Sequence, residues 1–241
     1  MSMLARMRLL QLASQAFPIG GYSHSCGLEA AIESGVVRDE ASVQQWITDM
    51  LRFSIGAYEA DCLERMSEAW IGRDVEALQR LNEEFLAARE SSELRSATVQ
   101  MGFSMRALLA VLPDLPDVLI TVLQAIAEPS LPCVWSGAAT SWSIAVCDSL
   151  AAYLWSWAEN QVLVAMKAVP IGQSAGQRAL LAMGCKIAQV AADMRPSAGT
   201  ARFGENSGDD HFGGNDYSNF SPGLAILSSQ HETQYSRLFR S

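Results

Sequence analysis

The sequence is poor in the residues that catalysis and metal binding draw on. Of 241 residues only 3 are histidine. The 5 cysteines, at 26, 62, 133, 147 and 185, are scattered, odd in number and never spaced CxxC. That pattern argues against a disulfide framework and reads as reduced, mostly buried thiols of a cytosolic chain. Lysine and arginine form no block and the net charge is -9, which argues against a nucleic-acid partner. The stretch "PIGGYSHSCG" lacks GxxxxGK[ST], so it is no phosphate-cradling loop, and no serine reads as a nucleophile elbow. The acidic pair Asp209 and Asp210 lies in a polar stretch rather than on a helix. Long apolar runs are missing too. Residues 129–147, the least charged stretch, are broken by Pro132, Gly137 and several Ser and Thr, which predicts buried helix instead of a membrane span. Gln11, Ser14 and Gln15 interrupt the apolar start, against a signal peptide.

What is present is a large apolar fraction with helical spacing. Hydrophobic residues make up 49% and charged residues 18%, enough to build a sizeable core. Val43, Trp46, Ile47, Met50 and Leu51 fall on one helical face, with Asp39 as cap. Leu78, Leu81 and Phe85 form a second stripe behind Asp74. Leu94, Met101, Met105, Leu108 and Leu112 form a third, stopped by Pro113. Val118, Leu119, Val122, Leu123 and Ile126 form a fourth, stopped by Pro129. Longer patterns run from about Asp148 to Lys167 and from about Ser174 to Met194. No segment sustains a period of two. The expectation is all-α: a single helical domain of roughly eight to ten helices over residues 1–196.

From Ser197 the composition turns to Gly, Asn, Asp and Ser. Residues 197–223 are expected to form a flexible linker, because they bury too little to offset ordering entropy. Residues 224–241, ending in "HETQYSRLFRS", turn apolar and basic again. His211 and His231 fall near or in this region and are expected to be solvated or at an interface.

Two internal features invite chemistry. His24 and Cys26 carry ligand-capable atoms, open to a thiol-enzyme reading or a direct metal-binding reading. A metal site needs a third ligand, a thiol enzyme an orienting group, and the bland alternative is a turn into a helix from about Ser25. Glu159, Asn160, Gln161 and Lys167 interrupt a strongly apolar helix before "PIGQ", with Gln173, Gln177 and Arg178 following. This is either the polar rim of a helix corner or a polar contact surface.

Read together, "LLQLASQAFPIGGYSHSCGLEAAIESGVV", "ARESSELRSATVQMG", "VAMKAVPIGQSAGQ" and "HETQYSRLFRS" resemble the urease accessory protein UreF family, in order and over nearly the whole chain. The resemblance implies an all-α homodimer without catalytic activity or cofactor. Its implied partners are UreD/UreH, the GTPase UreG and apo-urease, which receives nickel, with a possible influence on the GTPase cycle. It implies no membrane or nucleic-acid partner, and no metal role for His24 or Cys26, which depart from the family pattern. It places the UreD/UreH contact on Tyr235, Arg237, Leu238, Phe239 and Arg240. A separate polar face for UreG then carries Glu29, Lys167, Gln173 and Gln177. The tail is expected to order only on its partner and to lie outside the core, so that removing residues 235–241 barely changes the melting temperature.

Overall fold

The computed structural model describes residues 1–193 and 221–240. They form eleven α-helices: α1 (Met3–Ala13), α2 (Leu28–Glu33), α3 (Glu40–Phe53), α4 (Ala60–Gly72), α5 (Val75–Ala87), α6 (Ser92–Leu109), α7 (Asp117–Ala125), α8 (Leu131–Ser141), α9 (Val146–Ala168), α10 (Gln173–Asp193) and α11 (Pro222–His231). No strand occurs among the described residues, so the all-α expectation holds. None of their helices is long and apolar enough to cross a membrane.

Local chemistry sets the boundaries. Asp39 caps α3, its Oδ1 accepting from Ser42 N at 2.8 Å, while Ser42 Oγ accepts in return from Asp39 N at 3.0 Å. This reciprocal box satisfies two amides that a helix start leaves unpaired. Asp74 caps α5 with a single bond, accepting from Ala77 N at 2.9 Å. The expected helix from about Ser25 begins only at Leu28. Cys26 (φ 51°) and Gly27 (φ 85°) are both left-handed, so the chain cannot enter a right-handed helix before them.

The α3 and α5 stripes lie wholly in the core, whereas α7 buries Leu119 and Leu123 but leaves Val118 of its expected stripe exposed. All five α3 residues and all three α5 residues of the sequence pattern are buried. The middle of the molecule is α8, where Leu131 to Ala139 are all buried between α4, α6 and α9. Small residues allow this. A Cβ on Gly102 of α6 would lie 2.0 Å from Pro129 O, so glycine is what lets α6 approach the start of α8. On its other side α9 packs against α1, α2, α3 and α10. Trp135 of α8 meets Tyr153 of α9 edge to face at 5.4 Å and donates to Ser149 Oγ at 3.2 Å.

A charged cluster sits inside this apolar assembly. Between α3 and α4, residues Ile55–Glu59 form a π-helical turn that directs Glu59 inward. Glu59 pairs with Arg89 and accepts from Tyr153 Oη at 2.7 Å. Arg89 lies over the Phe85 ring at 4.2 Å. Burial, then the Glu59 charge, raises the Tyr153 pKa well above its ordinary value, so the phenol remains a donor to the carboxylate. Removing one partner leaves the other charge buried and unpaired. Arg89→Ala is therefore expected to lose about 3–5 kcal/mol of stability in urea titration. A loss below about 1 kcal/mol, the scale of surface pairs, would show that the pair is not held as described.

Candidate functional site

The tail does not stand apart from the body. Leu224 of α11 and Phe239 belong to the same buried core cluster as α3, α8 and α9. This corrects the expectation of a segment outside the core. Gly27 makes room for α11: a Cβ there would lie 2.8 Å from Leu224 Cδ1, and the left-handed backbone already favours glycine.

The docking rests on carboxylates. Glu29 of α2 is buried and accepts from two consecutive tail amides, Leu238 N at 2.6 Å through Oε1 and Phe239 N at 3.0 Å through Oε2. His231, fully buried at the end of α11, places Nε2 3.1 Å from Glu29 Oε2 and Nδ1 2.6 Å from Glu93 Oε2. The expectation of a solvated or interfacial His231 is thus overturned: its two ring nitrogens tie α2 and α6 to α11. Glu93 also accepts from Arg237 Nη1 at 2.8 Å. Glu232 caps α6, accepting from Ser92 N at 3.1 Å and Ser92 Oγ at 2.6 Å. Finally Arg240 N donates to Ser23 O at 2.8 Å.

The loop that receives the tail is held from behind by α9. Asn160 Nδ2 donates to His24 O at 2.8 Å and Gln161 Nε2 to Ser25 O at 3.1 Å, while Gln161 Oε1 accepts from Trp46 Nε1 at 3.3 Å. Glu159 Oε2 accepts from Gln15 Nε2 at 3.2 Å. Most polar interruptions of the apolar helix are therefore internal fasteners. Asn160 and Gln161 satisfy loop carbonyls that burial would otherwise leave unpaired.

The residues singled out in the sequence fall into two groups. Phe239 is buried, whereas Tyr235 (105% exposed) and Leu238 (71%) point outward. Arg237 and Arg240 are surface residues, Arg237 being tied to Glu93. Of the four expected on a separate polar face, Glu29 is buried under the tail and is not available there. Its position on the inner side of a six-residue helix gave no sign of this in the sequence. Lys167, Gln173 and Gln177 are exposed. Lys167 Nζ lies 5.5 Å from the centre of the Phe239 ring, so this face adjoins the tail. Sequence reasoning missed Glu93 and His231 as fasteners, since neither had a partner within reach along the chain.

His24 and Cys26 line a cavity of about 90 Å³ with Glu59, Arg89, Tyr153 and Leu224. Burial, then the Glu59 charge, pushes the Cys26 thiol up to about 12, opposed by the Arg89 charge. A thiol nucleophile requires the opposite shift, which removes the thiol-enzyme reading. Among the described residues no group of three or more His, Cys, Asp or Glu is placed to hold a metal ion; His211, Asp209 and Asp210 lie outside them. The string Gly172 to Gly176 has the letters of GxSxG, but it opens α10 and follows no strand, so Ser174 is not a nucleophile elbow. The 197–223 linker expectation falls mostly outside the described residues, of which 221–223 open α11.

Two measurements check this site. Deleting residues 235–241 exposes the Phe239 pocket, about 1.5–3 kcal/mol of burial. The expected fall in Tm is about 3–12 °C by calorimetry, and an unchanged Tm would show that the tail is not core structure. Burial, then the charge of Arg240, depresses the His24 pKa from 6.5 to about 4. A histidine depressed on folding binds its proton more readily in the unfolded chain. Its contribution is complete above pH 6.5 and is lost as pH falls toward 4. The pH-dependent loss over that window is expected to shrink in His24→Asn.

The profile of the UreF family matches residues 37–184. Over 237 residues the chain is 49% identical to the urease accessory protein UreF of Dechloromonas aromatica (strain RCB), covering 97% of this chain and 96% of the relative. It is 47% identical over 244 residues to that of Azoarcus sp. (strain BH72), covering 99% and 97%, and 44% identical to that of Methylobacillus flagellatus, covering 98% and 97%. Similarity of this extent, running through both the helical body and the docked tail, shows that the chain belongs to the UreF family, urease accessory proteins rather than enzymes.

Proposed function

We propose that the chain is a non-catalytic scaffold of urease maturation. Residues 224–241 serve as its partner-binding segment and hold UreD/UreH through the exposed side chains of Tyr235, Arg237, Leu238 and Arg240, with Phe239 anchoring the segment in the core. An adjoining polar face with Lys167, Gln173 and Gln177 receives the GTPase UreG and influences its cycle. The assembly then brings nickel, as cargo, to apo-urease. The scaffold works as a homodimer in the cytoplasm. The observation that carries this reading is similarity along nearly the full chain to proteins named urease accessory protein UreF. The form of the tail supports it: Tyr235 and Leu238 are large apolar groups exposed beside exposed Arg240 and Lys167. An apolar centre with a charged rim is the usual make-up of a protein-binding patch.

Co-purification with UreD/UreH and UreG from one source tests the scaffold. The full chain is expected to retain both partners, and the chain lacking residues 235–241 neither. Lys167→Ala is expected to keep UreD/UreH and lose UreG, at a stability cost of about 0.5–1 kcal/mol from the lost contact with Phe239. Normal urease activation in cells carrying Lys167→Ala would remove this lysine from the UreG face.

A further inference from the structure

We propose that the cavity beside the Glu59–Arg89 pair is a binding site for a small planar monoanion that keeps one proton, of the hydrogencarbonate class. Arg89 and Trp157 donate to its oxygens, and Asn160 accepts its proton. The site is independent of the partners proposed above.

The cavity offers about 90 Å³, several times the roughly 10–15 Å³ that one buried water needs. It adjoins the π-helical turn that carries Glu59, and π-turns recur at functional sites. Arg89, Trp157 and Asn160 all line it. The Arg89 side chain is only 5% exposed, and its Nη1 is used on Glu59. Its other edge, Nε and Nη2, is buried and has no hydrogen-bond partner among the described residues. That edge is the fork on which a guanidinium takes two oxygens of a planar oxyanion at once. Trp157 Nε1 is buried without a partner as well. Asn160 uses Nδ2 on His24 O, and its Oδ1 stays buried and unpaired. Buried polar atoms in folded proteins are nearly all paired. Four orphans on three residues around one cavity therefore mark a place for a guest.

The kinds of orphan define that guest. Three are N–H donors and one is an amide oxygen, so the guest must accept more than it donates. Hydrogencarbonate has two oxygens for the Arg89 fork, further lone pairs for Trp157 and one hydroxyl to donate to Asn160. Nitrate has the same plane but no proton, and would set a lone pair against Asn160 Oδ1. An amide-rich guest fails for the opposite reason, because its N–H groups would meet the N–H groups of Arg89 and Trp157. The charges acting here nearly cancel: Glu59 and Glu90 act on Arg89, and Arg240 acts on His24. A single negative charge is tolerated in such a place, whereas a dianion would meet two carboxylates with too little to offset it.

The test titrates the full chain with isotope-labelled sodium hydrogencarbonate in mildly alkaline buffer, read by carbon NMR. Saturable binding at one site per chain is expected, with nitrate competing at least tenfold more weakly. Trp157→Phe keeps an aromatic ring but removes the donor, and is expected to weaken binding about tenfold, the scale of one hydrogen bond to a charged group. Arg89→Lys keeps the charge for Glu59 but removes the fork, and is expected to abolish the site signal. Carbamates formed on exposed amines give carbon signals too, but these persist in both variants and so are told apart. Should Arg89→Lys fail to fold by circular dichroism, Trp157→Phe carries the comparison alone. An absence of saturable binding to the native chain would show that the cavity takes only water, overturning the proposal. Binding unchanged in Trp157→Phe would place the anion elsewhere and overturn it equally. Nitrate binding as tightly as hydrogencarbonate would overturn the role of Asn160 and of the proton.

Discussion

A buried carboxylate must be met by donors, and Glu29 meets three of them from the far end of the chain. Two are consecutive backbone amides, of Leu238 and Phe239, and the third is the ring of His231. That requirement brings α11 and the last residues onto α2 across more than two hundred positions. Without Glu29 the amides would face a core with nothing to accept them, and Phe239 would have no fixed route inward. The position of α2 is in turn set by Gly27 and Cys26, whose left-handed backbone turns the loop into the helix. Asn160 and Gln161 hold that loop from behind. The site is a stack: α9 fastens the loop, the loop starts α2, and α2 fastens the tail.

The same stack links the core to the exposed face of the tail. The tail contributes Phe239 and Leu224 to the main core, so it is part of what holds the body together. It also presents Tyr235 and Leu238 to solvent. The segment is thus held by the protein's own interior on one side and exposed on the other. The Glu59–Arg89 pair, reached by Tyr153, is a second buried polar cluster and shares a cavity with His24 and Cys26. Burial first, and then the Glu59 charge, push the Cys26 thiol above its ordinary range.

Much of the fold was legible because helices announce themselves locally. The apolar spacing of α3 and α5 and the caps Asp39 and Asp74 are all satisfied within a few residues. The all-α class follows from 3.6-residue spacing with no sustained alternation. The family resemblance was legible in the same way, from short blocks at the two ends and the middle. The candidate site was legible only in part. Tyr235, Leu238 and Arg240 stand out as apolar and basic groups at the end of the chain, but nothing local separates them from Phe239, which goes inside.

The sequence by itself determined where helices begin and end, because capping and periodicity depend on neighbours three or four residues away. Tertiary structure decided which side chains are fasteners and which are faces, because that depends on burial against distant elements. Glu29 and Lys167 illustrate the difference. Both are charged residues on apolar helices. Glu29 faces the tail amides and is consumed inside, whereas Lys167 lies over the edge of the same tail and stays in solvent. His231 shows the strongest case: its partners Glu29 and Glu93 are 202 and 138 positions away, so only folding brings the three together.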